Sequence, residues 1–151
     1  MKTIHRIAIA FFTLALTAST GALAGPPVAT LTIPTPFGSS PVLAWSWGAS
    51  NSGTTHMGGG AGAGKANVQD LSLTRNTDKQ SPLFVDAVVQ GTPLPSVVLS
   101  SGMMTMTLED VLVTSYSTGA SDRTQTENIS LNFARVVFSV NGVSAGWMAV
   151  P

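Results

Sequence analysis

Asn141-Gly142 sits between two β-branched, apolar-rich runs, Thr126 to Val140 and Val143 to Ala149, and this constrains the fold more than any other stretch. Asn-Gly accepts the positive φ values of a two-residue turn whose twist matches that of paired strands. The two runs are therefore expected to form an antiparallel hairpin. A lone hairpin is marginal in water and needs further strands or a helix against its apolar face.

The rest of the chain supplies them. Thr30 to Ile33 reads as a short strand stopped by Pro34 and Pro36, since proline removes a ladder donor. Val42 to Ala49 alternates, with Leu43, Trp45 and Trp47 on one face. Lys65 to Thr74 alternates too, with Gln69, Leu71 and Leu73 sharing a side. Ser96 to Ser100 and Met103 to Ser117 form a second strand pair around Ser101-Gly102. One helix is expected, over about 82–90. Ser81 would be its N-cap, Pro82 its first residue and Gly91 its left-handed terminator, and Leu83, Phe84, Ala87 and Val88 would form its apolar stripe. The fold class this implies is mainly β: a small barrel or two-sheet sandwich with one short flanking helix.

The N-terminus carries an address. Lys2, His5 and Arg6 precede an apolar run from Ile7 to Ala18, and Ala22-Leu23-Ala24 places small residues where a signal peptidase reads. The run is shorter than the roughly 20 apolar residues of a membrane span. Residues 1–24 are thus expected to be a secretory signal peptide cleaved after Ala24. Residues 25–41 would then be a flexible lead-in with the first short strand, and 42–151 the barrel domain. The mature chain would be periplasmic or extracellular, with no membrane attachment.

Losing Lys2 and Arg6 leaves five basic residues against seven acidic ones. That balance argues against nucleic acid, which selects a basic stripe. Charged residues make up only 9% of the chain, which suits a surface coated in Ser, Thr and Gly or covered in an assembly. The chain has no cysteine, which removes thiol catalysis and cysteine-ligated metals.

Candidate chemistry is sparse. Gly59 to Ala66 lies one residue from a phosphate-binding loop, but Ala66 lacks the hydroxyl that would hold Mg²⁺, and Lys65 opens a strand rather than a helix. His56, the one histidine after residue 24, lies in a Ser/Gly loop unsuited to positioning a base. Glu109 and Asp110 are neighbours on a strand, so they are expected on opposite faces. Asp70, Asp78, Asp86, Asp122 and Glu127 are scattered and read as solvated, capping or paired with Lys79, Arg75 or Arg123. Met103, Met104 and Met106 read as core filling. Asn128-Ile129-Ser130 matches the glycosylation pattern but lies inside an expected strand. No catalytic, metal or cofactor site is expected.

Several short stretches, in order, carry a resemblance. They are Leu43 to Gly48 with Trp45 and Trp47, Gly62-Ala63-Gly64-Lys65 running into Val68 to Ser72 with Asp70, and Asp78 to Pro82. Thr107 to Val113 with Glu109 and Asp110, Ser115 to Gly119, Thr126 to Asn128, Ser130 to Ala134 and Ala145-Gly146-Trp147 follow. Together they resemble the haemolysin-coregulated protein (Hcp) family, the tube proteins of type VI secretion systems. The resemblance implies a two-sheet barrel with one helix, assembled as a hexameric ring that stacks into a tube. It implies a lumen that can carry a secreted effector and brings no catalytic residue. Gly58, Gly59, Gly60, Gly62 and Gly64 would belong to a loop that stacks on a neighbouring ring. The family's tubes assemble in the cytoplasm, so the leader also admits an exported binding module detached from any contractile machine. An enzyme is the third reading.

Overall fold

The computed structural model describes residues 25–53 and 64–149. Alternation of apolar and polar residues generates ten strands there: β1 (Ala29–Ile33), β2 (Gly38–Val42), β3 (Ala44–Ser46), β4 (Ala49–Asn51), β5 (Ala66–Val68), β6 (Leu71–Asn76), β7 (Leu94–Ser101), β8 (Met104–Ser121), β9 (Thr124–Val140) and β10 (Val143–Met148). One helix, α1 (Ser81–Gln90), separates β6 from β7. Eight strands form an antiparallel sheet in the order β2-β1-β7-β8-β9-β6-β3, with β10 also on β9, while β4 and β5 pair apart. The sheet is open, but its two end strands are consecutive in the chain. Leu43, between them, donates its N–H to the Thr74 carbonyl at 2.8 Å, so one segment lines both edges and the sheet curls upon itself.

The long hairpin of β8 and β9 spans both halves of this sandwich. Near its middle Glu109 pairs with Arg135 and Val111 with Phe133, while Asp110 sits at φ 50°. Leu108 and Val111 both face inward, so alternation breaks at Asp110 and the strands turn a corner. Further along, Thr114 is an extra residue between Val113 and Ser115, a bulge that switches the inward face once more. One half of β9 then pairs with β6 and the other with β10. Both expected Gly turns are present, with Asn141 at φ 51° and Gly142 at 80° closing the β9–β10 hairpin.

Leu31, Leu71, Val97, Leu99, Leu108, Val111 and Leu131 fill the interior, and α1 closes it with Phe84 and Ala87. Met104 and Met106 are core residues, whereas Met103 is 71% exposed at the β7–β8 turn. The helix begins one residue earlier than its capping signals suggest. Gln80 holds the N-cap position without a side-chain cap bond, and Ser81 instead accepts the Asp78 N–H at 2.9 Å. Gly91 ends it at φ 65°. The strand β2, which the Pro-interrupted sequence does not announce, turns Ser40 and Val42 inward. No helix among the described residues is long and apolar enough to cross a membrane.

Candidate functional site

The most organised polar cluster lies inside the barrel. On β6, Leu71, Leu73 and Arg75 share the inward face, and on β9 so do Glu127, Ile129 and Leu131. Antiparallel register sets Arg75 directly opposite Glu127. Both side chains are removed from water, and Arg75 Nε donates to Glu127 Oε1 at 2.5 Å. Its NH1 donates to Gln80 Oε1 at 2.9 Å and to Ser40 Oγ, and its NH2 to Asp78 Oδ1. The guanidinium lies 5.1 Å from the centre of the Phe84 ring. Gln80 in turn donates Nε2 to the Phe37 carbonyl at 2.5 Å.

Tyr116 completes the cluster by donating its hydroxyl to Glu127 Oε2 at 2.8 Å. It can do so because the Thr114 bulge turns Tyr116, rather than Ser115, towards the interior beside Ile129. Burial, and then the Glu127 carboxylate, push the Tyr116 phenol above its ordinary value of 10.0. The folded state therefore holds this proton more tightly than the unfolded chain. Its stability contribution is complete below pH about 10 and is lost as pH rises through the folded value. Tyr116→Phe should flatten that alkaline decline in unfolding free energy. It should also cost about 1–3 kcal/mol at pH 7, because a buried carboxylate oxygen loses its donor. Denaturant titrations at several pH values check this, and an unchanged alkaline slope would remove Tyr116 as its source.

Every group of this cluster is engaged with another, and it ties β2, β6, α1, β8 and β9 together across the gap between the two edges of the sheet. Such a cluster holds shape rather than offering a reactive group to a substrate. Among the described residues no three acidic or histidine side chains converge as a metal would require.

The residues singled out by sequence lie elsewhere. Trp45 and Trp47 are half-buried on the core, with Trp47 5.9 Å from Phe138 and its Nε1 buried without an acceptor. Trp147 stands edge-on to Phe133 at 6.4 Å. Asp70 takes bonds from Asn132 Nδ2 at 2.8 Å and Thr114 Oγ at 2.9 Å, so the bulge also fixes this carboxylate. Lys65 is exposed beside β5. Glu109 and Asp110 do not take opposite faces: the positive φ at Asp110 interrupts the pleat and leaves both on the outside. Glu109 meets Arg135 there at 3.2 Å in an exposed pair. A Cβ on Gly64 would stand 1.9 Å from the Gly53 nitrogen, so the close approach at the base of the loop requires glycine. His56, Gly58, Gly59, Gly60 and Gly62 lie outside the described residues.

The buried cluster had one legible signal: opposite charges that each continue an apolar alternation, after Leu71 and Leu73 and before Ile129 and Leu131. Finding it requires knowing that β6 and β9 are neighbours, which no local pattern states.

A family model described as "Type VI secretion system effector, Hcp" matches residues 37–140. The chain belongs to the Hcp family. The match runs from just before β2 to the end of β9, so it takes in the buried cluster and the whole long hairpin. Protein Hcp1 of Pseudomonas aeruginosa is 50% identical over 84 residues, covering 48% of this chain and 51% of that protein. The chain thus spans about half the length of this curated Hcp relative. Among solved structures, a type six secretion system protein superposes with a TM-score of 0.68 at 24% identity, over 80% of this chain and 94% of the other. Hcp1 from Salmonella typhimurium gives 0.67 at 21% identity, over 82% and 95%. At these identities the superpositions show the Hcp fold.

Proposed function

We propose that the chain is a non-enzymatic structural subunit of a type VI secretion system, acting in its tube or as a secreted component. The observation that carries this reading is the family match over 37–140, which covers most of the barrel. On this reading subunits associate as a hexameric ring whose lumen can hold a secreted effector, and the Gly58 to Gly64 loop meets a neighbouring ring. Low charge fits a chain with several covered faces. Residues 1–24 direct export and are removed after Ala24. That leader also supports a second reading, an exported Hcp-fold binding module working without a contractile machine.

One preparation tests both. The protein recovered from periplasm or medium should begin at Gly25 by mass, and light scattering should give six times the mass of one chain. A single-chain mass at high concentration would sink the ring and leave the binding module. An intact Met1 start on the recovered protein would refute cleavage.

A further inference from the structure

Among the described residues the β10 strand is an uncovered sheet edge. It pairs, among those residues, with β9 alone, and the two-residue turn at Asn141-Gly142 fixes which of its backbone groups are used. Val143 closes the turn opposite Val140, so Val143, Ala145 and Trp147 exchange bonds with β9. The same phase continues in Ala149, whose N–H reaches the Ala134 carbonyl at 2.7 Å. The N–H and C=O groups of Ser144, Gly146 and Met148 therefore point away from the sheet. All of β10 except Trp147 is exposed, with Val143 and Met148 among the most exposed large apolar residues.

Natural sheets protect such edges with lysine, proline, bulges or covering segments. No charged residue occurs from Val136 to Pro151, no proline interrupts β10, and its register is unbroken. Gly146 adds a second sign. A Cβ there would meet Val136 O at 3.5 Å and Val137 Cγ2 at 3.7 Å, ordinary contacts, so nothing among the described residues needs glycine at this point. A glycine inside a strand often marks a site where another backbone approaches closely.

The β4–β5 pair has the complementary need. It has three residues in each strand, stands outside the main sheet, and exposes all of Ala49, Ser50 and Asn51. A pair this short is not stable alone and gains from a third strand. One edge of β4 is taken by β5, and among the described residues no strand pairs with the other. Neither β4 nor β10 carries a charge that pairing would have to desolvate.

We propose that the free edge of β10 takes the β4 strand of a second copy of this chain, continuing the sheet from one subunit into the next. The contact joins two different edges, so it is head-to-tail and can close a ring. This inference rests on the ring reading and names the strands that make its contact.

The chain as recovered from cells, being free of cysteine, allows a direct test. Gly146→Pro removes one outward N–H and none of the β9 ladder bonds. Its circular dichroism and melting temperature should stay close to the parent's, while light scattering falls to single chains. Ser50→Cys and Ser144→Cys chains, mixed and oxidised, should form a one-to-one disulfide dimer that neither forms alone. If the parent assembles and Gly146→Pro assembles equally, the edge inference fails while the ring reading stands. If the parent is a single chain, both fail. Disulfide dimers from Ser144→Cys alone would replace β4 by a second β10 and overturn the assignment. Should Gly146→Pro misfold, the mixed cross-link decides: its presence supports the pairing and its absence overturns it.

Discussion

Glu127→Ala should destabilise the barrel by about 3–5 kcal/mol, because it leaves the buried Arg75 guanidinium without its buried counter-charge. Arg75 would keep Ser40, Gln80 and Asp78, but Asp78 is partly solvated, so the fully buried anion is the one removed. Tyr116 would lose its acceptor in the same step. Domains of this size are stable by only about 5–15 kcal/mol, so the loss is about a fifth of the whole or more. Arg135→Ala is the internal control: it breaks an ion pair about half exposed on both sides and should cost under about 1 kcal/mol. The double variant Arg75→Met with Glu127→Leu should recover part of the loss, since an apolar pair needs no charge compensation. Urea denaturation measures all three. A Glu127→Ala loss no greater than that of Arg135→Ala would mean that water reaches the cluster, and the account of it as a closed tie would fall.

Much of the fold is legible because local chemistry decides it. The Asn141-Gly142 and Ser101-Gly102 turns, the alternation of β1 and β6, and the Gly91 helix stop each follow from a few adjacent residues. What is not legible depends on partners far away in the chain. The alternation of β8 implies one inward face, yet Asp110 and Thr114 each shift it, and only the pairing with β9 reveals where. Those shifts decide that Tyr116 reaches Glu127 and that Glu109 and Asp110 share the outside. The helix start is set likewise: Ser81 has the chemistry of a cap, but Arg75 holds Asp78 and Gln80 in place, which moves the first turn back by one residue. Family membership was readable from Trp45-Ser46-Trp47 through Trp147 because those motifs are strings of sequence. The buried cluster, being a set of cross-strand contacts, was not.

Phe84→Ala should cost about 3–5 kcal/mol and release α1 from the sheet before the rest of the barrel unfolds. The helix has little to hold it otherwise. It is ten residues long, has no side-chain N-cap bond, and has neither an acidic first turn nor a basic last turn. A helix of that length is marginal in water on propensity alone. Phe84 is fully buried, packs 5.0 Å from Phe37, and lies under the Arg75 guanidinium, so one ring joins the helix to both the core and the polar cluster. Val89→Ala, at a position 76% exposed on the same helix, should change stability by less than about 0.5 kcal/mol. Hydrogen exchange gives the local readout: amides of Ser81–Gln90 should lose protection in Phe84→Ala while those of β8 and β9 keep more of theirs. Uniform loss across helix and sheet would show instead that α1 and the barrel open as one unit. Because Phe84 and Glu127 both contact Arg75, the effects of Phe84→Ala and Glu127→Ala should not add. The double variant should fall short of their sum by about 0.5 kcal/mol or more, and strict additivity would mean that Arg75 does not couple helix to sheet.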